Sequence, residues 1–370
     1  MRVLALEPYA AASHVAFLEG YRANSKHTLE LALLPARHWK WRMRTASLAF
    51  RERVTAGTAD GQRFDALLVS DYVNLAELRA LLPRPLRGLP ALVYFHENQL
   101  TYPLQDGERR DVHHGLVHIH SALAAERVLF NSAYHQRVFQ AAAAELLGRA
   151  PKVDAGPFVR ELAEKSHVTP LGTDVERGLP RTLADGSPPV LLWNHRWEYD
   201  KAPERFAAAL DALTARGFDF RLCLLGQRFR EASPALATIT ARHATRLPEN
   251  AHAPTRAAYL AALDQSHIAV STARHEFFGL ATLEALRRGL APVLPNDLGY
   301  PELLPRALRH APHLFDAASS PEAIADAVET TTRALWAAEL PSEAFLAATD
   351  RFQWSRVAPE LDAHLSAAAN

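Results

Sequence analysis

The stretch that decides how this chain folds is His267-Ile268-Ala269-Val270-Ser271, followed by His275-Glu276-Phe277-Phe278-Gly279-Leu280-Ala281-Thr282-Leu283-Glu284-Ala285. The first five residues read as a buried strand, and Ala281–Arg288 reads as a helix entered through the loop around Gly279. A strand that feeds a helix through a polar loop is the repeating unit of a parallel α/β sheet. Outward from it the same rhythm gives strands at Val190–Trp193, Arg221–Leu225 and Ala291–Pro295, with helices near Pro203–Arg216 and Thr255–Leu263. The first half repeats it with strands at Arg2–Glu7, Leu29–Leu34, Ala66–Ser70, Ala91–Phe95 and Arg127–Asn131, and helices over Asn74–Leu82 and His113–Ala125. Between the halves lies a polar stretch holding Gly178, Pro180, Asp185, Gly186, Pro188 and Pro189, where the domain boundary is placed. The expected architecture is therefore α/β, with two Rossmann-like doubly wound domains. Ligands of such sheets bind outside the carboxyl ends of the strands, so two of them facing each other would make a central cleft.

Composition agrees with this layout. At 370 residues the chain exceeds the roughly 100–200 of a typical domain. Hydrophobic residues at 48% and charged residues at 22% exclude wholesale disorder. Forty-one Lys and Arg balance 41 Asp and Glu, so any nucleic-acid surface must be local. The single cysteine, Cys223, excludes a disulfide framework and a cysteine zinc cluster. It fits a reducing compartment, and a cytoplasmic location is expected. The opening MRVLALEPY is a short apolar run for a secretory signal, and no stretch nears the roughly 18 apolar residues of a membrane span.

Four segments carry candidate chemistry. In the first, Glu276 and Glu284 stand eight positions apart. A helix starting near Gly279 turns its free N–H groups and positive end toward a phosphate, while Glu276 can accept hydrogen bonds from sugar hydroxyls and Glu284 from ribose hydroxyls. An ordinary surface helix with solvated glutamates would share the spacing. In the second, Asn194-His195-Arg196-Trp197-Glu198-Tyr199-Asp200-Lys201 follows a strand and offers two cations. In the third, His96, Glu97, Asn98 and Gln99 are four consecutive polar side chains after the strand Ala91–Phe95, which suits a loop lining a ligand. In the fourth, Arg37-His38-Trp39-Lys40-Trp41-Arg42-Met43-Arg44 interleaves cations with indoles. The span 37–53 holds six Arg or Lys against the single Glu52, a local excess of five. Guanidinium groups on phosphates and rings on exposed bases are what RNA binding uses, although a basic surface loop with its tryptophans packed inward has the same composition.

Glu276 and Glu284, with Arg196 and Lys201 before them, resemble the paired-glutamate motif and the diphosphate-binding arginine and lysine of retaining family 4 glycosyltransferases, which have the two-domain GT-B fold. The segments Leu6-Glu7-Pro8-Tyr9 with Ser13-His14, Pro35–Arg44, and Phe95-His96-Glu97-Asn98-Gln99-Leu100-Thr101-Tyr102-Pro103 resemble a narrower family. These are the tRNA-queuosine mannosyltransferases, which move mannose from GDP-mannose to queuosine at the wobble position of tRNA. Where that family's first loop has Gly-Gly, this chain has Ala11-Ala12.

The resemblance implies a GT-B chain with residues 1–175 as the acceptor-binding domain and 187–345 as the sugar-nucleotide domain, and a C-terminal helix in 346–370 returning to the first. It implies His96, Glu276, Arg196 and Lys201 as the catalytic set. Donor contacts would come from Arg196, Lys201, Glu276, Phe278, Gly279, Leu280 and Glu284. Contacts to tRNA or acceptor would come from Ser13, His14, Arg37, His38, Trp39, Lys40, Trp41, Arg42, Arg44, Glu97, Asn98 and Gln99. The expected partners are a sugar nucleotide and a queuosine-containing tRNA, that for aspartate in the family. No Asp-x-Asp pair occurs, so no metal and no resident cofactor are expected. Two other readings stay open. One is a family 4 enzyme with a different donor and a lipid or small-molecule acceptor, and the other is a sugar-nucleotide epimerase or binding protein.

Overall fold

The computed structural model describes residues 1–59, 63–105, 107–226, 234–247, 253 and 255–369. The chain forms two compact units, Met1–Asp174 together with Phe352–Asn370, and Val175–Arg351.

The first unit is built on six parallel strands: β1 (Arg2–Ala10), β2 (Thr28–Pro35), β3 (Ala66–Ser70), β4 (Ala91–Phe95), β5 (Arg127–Phe130) and β6 (Ser166–Val168), in the order β2-β1-β3-β4-β5-β6. Strands β3 and β4 are buried at every position, as a parallel sheet covered on both faces requires. The order reverses between β1 and β3. That switch point is where such a sheet leaves a crevice at its carboxyl ends.

Two helices begin inside segments for which the sequence analysis gave no helix. The helix Ala12–Asn24 begins directly after β1, so Ser13 and His14 lie in its first turn. The Ala11 carbonyl accepts the Val15 N–H at 2.9 Å, and Ala12, the first helical residue, favours the helix. Ala11 is extended at φ −69°, so this entry to the helix needs no glycine. The helix Trp39–Ala59 likewise starts inside the basic segment. Met43, Ala46, Ser47, Phe50 and Val54 are buried at the spacing of one helix face, and that burial imposes the helix. His38, at φ 54°, opens it by accepting the N–H groups of Trp41 and Arg42.

The helix Trp354–Ala369 closes the first unit. Its Asp362 accepts hydrogen bonds from Tyr21 Oη at 2.7 Å, Ser25 Oγ at 2.5 Å and the Lys26 N–H at 2.9 Å. Trp354 fills the space left by Gly20 and Gly172. A Cβ on either would come within 2.2–2.3 Å of the indole.

The second unit has five parallel strands: β7 (Val190–Asn194), β8 (Arg221–Leu225), β9 (Ile268–Val270), β10 (Ala291–Pro295) and β11 (Leu314–Phe315), in the order β11-β10-β9-β7-β8. Its core is led by Trp193, Phe206, Phe220, Ile268 and Val293. Here the order reverses between β7 and β9, so the loops after those two strands hold the switch-point crevice. Among the described residues, no helix is long and apolar enough to cross a membrane.

Candidate donor and acceptor sites

In the second unit, both quoted motifs sit at the switch point. The loop after β7 carries Arg196 and Lys201, and the loop after β9 carries Glu276. Lys201 is buried, and its Nζ donates to the His275 carbonyl at 2.7 Å and to Glu276 Oε2 at 3.3 Å. It also lies 3.0 Å from Asp200 Oδ2. The two loops are further stitched by the Arg274 N–H on the Asp200 carbonyl at 2.8 Å. Burial opposes charge on Lys201, but Glu276 and Asp200 outweigh it and raise the ammonium above its ordinary range. Burial likewise opposes charge on Asp200 and Glu276. His275 and Lys201 nevertheless bring Asp200 below the usual carboxylate range, and Lys201 does the same for Glu276. His195, by contrast, is pushed down to about 3 by burial and by the Lys201 charge. The result is a neutral imidazole beside a compact set of fixed charges.

Arg196 differs from Lys201 in its access to solvent. Its side chain is 47% exposed and pairs with Glu198 at 3.1 Å. A half-exposed guanidinium beside a buried ammonium can grip a diphosphate from outside while the ammonium fixes the floor.

Gly279, at φ +91°, caps the helix Leu280–Arg287. The left-handed conformation there needs glycine, and the Tyr300 ring passes 3.2 Å from where a Cβ would stand. Phe277 and Phe278 are buried and anchor the turn, and Leu280 is half-buried. Glu284, one turn in, is also buried. Its Oε1 accepts from Arg256 Nη2 at 2.9 Å and its Oε2 from Tyr259 Oη at 2.6 Å. Asn194, the last residue of β7, donates to Tyr259 Oη at 2.9 Å, which ties the second glutamate to the end of that strand.

In the first unit, the carboxyl ends of β1, β3 and β4 gather a second polar cluster. Glu7 on β1 is buried, and accepts the Tyr9 N–H at 2.7 Å while its other oxygen lies 3.0 Å from His14 Nδ1. The His14 ring stacks on His96, with centroids 4.2 Å apart and planes 21° from parallel. His96 donates its N–H to Asp71 Oδ1 at 3.1 Å, and its carbonyl accepts Asn131 Nδ2 at 2.9 Å. Glu97 accepts hydrogen bonds from Tyr72 Oη and, at 3.2 Å, from Gln99 Nε2. Ser13 is exposed. Asn98 is buried, and its Oδ1 accepts the Thr101 N–H at 3.0 Å, so it braces its own turn instead of lining a surface.

The basic segment divides by exposure. Arg37, His38, Lys40, Trp41 and Arg44 are exposed, Trp41 at 65%, and Arg44 pairs with Asp111 at 2.6 Å. Trp39 and Arg42 are half-buried, because the helix turns them toward its packed face. Trp39 lies 5.2 Å from the His114 ring, next to the small core of Met43, Tyr72 and Val117. Of the two indoles, Trp41 is the one presented to solvent.

Residues 2–173 match the model of the tRNA-queuosine alpha-mannosyltransferase N-terminal domain. A tRNA-queuosine alpha-mannosyltransferase of Drosophila melanogaster is 33% identical over 82% of this chain and 82% of its own length. The chain belongs to the tRNA-queuosine alpha-mannosyltransferase family. Residues 142–361 match a second model, described as family 4 glycosyltransferase in conflict systems, so the two matches together span the mannosyltransferase from residue 2 to residue 361. A GDP-mannose:cellobiosyl-diphosphopolyprenol alpha-mannosyltransferase of Xanthomonas oryzae pv. oryzae (strain PXO99A) is 25% identical over 63% of this chain and 57% of its own. Among solved structures, a sucrose-phosphate synthase of Thermosynechococcus elongatus superposes with a TM-score of 0.70 at 15% identity, covering 98% of this chain and 97% of that one. The two parallel α/β units have the GT-B fold.

Some residues of these clusters escape a motif reading, Arg256 among them. Glu7 was legible only as part of a family-like segment, and Asp71, Tyr72 and Tyr259 belong to no motif. What could have found Glu7, Asp71 and Tyr72 is their place in the last part of β1 and just after β3, on either side of the switch point.

Proposed function

We propose that this glycosyltransferase moves mannose from GDP-mannose to queuosine at the wobble position of tRNA, with retention at the anomeric carbon. The observation that carries the reading is the 33% identity with the Drosophila enzyme over four-fifths of both chains. The GDP-mannose named for the Xanthomonas relative supports the donor. The tRNA for aspartate is the proposed acceptor, and the cytoplasm the proposed location.

On this reading Arg196 and Lys201 hold the diphosphate and stabilise the charge that builds as it leaves. The bond from the anomeric carbon to the phosphate oxygen breaks, a bond to an acceptor hydroxyl forms on the same face, and the hydroxyl proton passes to the departing diphosphate. Glu276 and His96 orient the mannose, and Glu284 accepts the ribose hydroxyls. The two cations and the helix beginning at Leu280 supply the charge that the leaving group needs, so no metal and no cofactor is proposed. Arg37, Lys40, Trp41 and Arg44 form the exposed face for RNA, where cations meet phosphates and one indole can stack on a base.

The deciding experiment incubates the protein with GDP-mannose and queuosine-containing tRNA, digests the RNA and seeks, by mass spectrometry, queuosine heavier by one hexose. The adduct, and its loss in Glu276→Ala, is the expected result. No adduct on an acceptor tRNA that a control enzyme does modify would overturn the acceptor assignment. An altered free sugar nucleotide without an adduct would favour an epimerase.

A further inference from the structure

We propose that Glu7 and His14 form a charge pair whose task is to hold His96 uncharged and fixed in position, which makes His14 a positioning residue for the sugar-facing histidine. The proposal rests on the reading of His96 given above.

The geometry is that of a closed stack. His14 Nδ1 lies 3.0 Å from Glu7 Oε2, and the other Glu7 oxygen is taken by the Tyr9 N–H at 2.7 Å. The His14 face lies 4.2 Å from the face of His96. His96 also meets Phe17 edge-on at 4.9 Å and the Tyr94 ring at 4.9 Å. With its backbone held by Asp71 and Asn131, the ring has little freedom to turn. Glu7, His14 and His96 place ligand atoms within 4.8 Å of one another. Two nearly parallel rings, however, direct their nitrogen lone pairs side by side, so the arrangement suits stacking better than convergence on an ion.

The charges follow from this arrangement. Burial opposes a charged His14, but Glu7, with Asp71 and Glu97 further off, overrides it and pushes the ring up to about 9. Burial, then the His14 charge, then His135, hold His96 well below the ordinary histidine range. The other titratable groups around the stack do not undo this. Asp71 is pushed up by its burial, and Tyr72 and Tyr94 are pushed up by theirs.

The chemistry gives the arrangement a use. Glycosyl transfer builds positive charge on the sugar ring, and a second positive charge on a histidine facing that ring would raise the barrier. A cation stacked on His96 and already countered by Glu7 makes protonation of His96 costly, since like charges 4.2 Å apart repel. His96 is left able to accept or donate one hydrogen bond to a sugar hydroxyl.

The test combines histidine NMR with pH profiles. Ring signals of wild type, Glu7→Gln and His14→Asn are titrated from pH 5 to 10, with His96→Asn used to assign the His96 signal. The expected result is a His14 midpoint lowered by at least about one unit in Glu7→Gln, and a His96 midpoint raised in His14→Asn. Turnover in His14→Asn should show an acid limb displaced upward from that of the wild type yet still below pH 6.5, since burial alone keeps lowering His96. Unmoved midpoints, or a loss of turnover by one constant factor at every pH, would overturn the proposal. Glu7→Gln keeps the shape of the site and serves where His14→Asn does not fold. If the wild type makes no hexosylated queuosine, the acceptor reading fails, while the NMR midpoints still decide the charge pair.

Discussion

Lys201 Nζ and Glu276 Oε2 lie 3.3 Å apart, so the loop after β7 and the loop after β9 meet in one ion pair, buried on the lysine side, that Asp200 extends. Arg196, five residues earlier, stays half-exposed. The two cations proposed for the diphosphate therefore carry different structural duties, and substitution separates them. Lys201→Ala leaves Asp200 and Glu276 without their counter-ion and should cost on the order of 3 kcal/mol in chemical denaturation as well as abolishing transfer. Arg196→Ala should change stability by less than about 0.5 kcal/mol and lower turnover about a hundredfold. Equal destabilisation by the two variants would refute this division.

Glu284 is held from both sides, by Arg256 and by Tyr259, so its carboxylate is oriented before any ligand arrives. Glu284→Gln keeps the shape and removes the charge that the proposed hydrogen bonds from ribose hydroxyls would use. The donor KM should rise about tenfold with kcat changed less than threefold, in line with the roughly 1.5–3 kcal/mol of hydrogen bonds to charged groups. Steady-state kinetics over a range of sugar-nucleotide concentration separates the two parameters.

Trp41 stands 65% exposed on a helix whose neighbouring exposed residues include Lys40 and Arg44. Trp41→Ala should leave the melting temperature unchanged and weaken tRNA binding by about 1–3 kcal/mol if the indole stacks on a base. Lys40→Ala and Arg44→Ala should each flatten the salt dependence of binding by nearly one charge. Filter binding at several salt concentrations reads both effects, and wild-type affinity in Trp41→Ala would show that the ring is not in the interface.

How much of this could be read in the sequence depended on the length of each signal. The strands β3, β4, β7, β8 and β10 are five residues long and mostly apolar, and the sequence reading placed them within a residue of their observed ends. β6 and β11 span three and two residues, too few for any periodicity, and both escaped it. Spacing brought Glu276 and Glu284 to notice, whereas the Arg256 and Tyr259 that grip Glu284 come from a helix some 25 residues upstream and carry no local pattern. The basic segment drew notice for its interleaved cations and indoles, a composition that does not by itself show a helix. Its helix is set by Met43, Phe50 and Val54, which bury against other parts of the unit, a tertiary effect that a local reading does not weigh.

Asp362 ties the last helix to the first one through Tyr21, Ser25 and Lys26, three donors on one buried carboxylate. Asp362→Ala leaves those donors unpaired and should cost about 2–4 kcal/mol, seen as a lower denaturant midpoint. Gly20→Ala, which drives a methyl into the Trp354 indole, should weaken the same junction. A wild-type midpoint in both variants would mean that the terminal helix adds nothing to the first unit.

The Glu7–His14 pair also leaves a signature in stability. A histidine raised from its ordinary 6.5 to about 9 on folding binds its proton more tightly in the folded state. Its contribution is fully present below pH 6.5, declines as pH rises from there, and is gone above about 9. His14→Asn has no such proton to lose. The stability gap between wild type and His14→Asn should therefore narrow by up to about 3 kcal/mol between pH 6 and pH 9.5, with most of the change above neutrality. Urea denaturation of the two proteins at half-unit pH steps measures the gap directly. A gap that is constant with pH would mean that His14 carries the same charge folded and unfolded, and that Glu7 does not hold its proton.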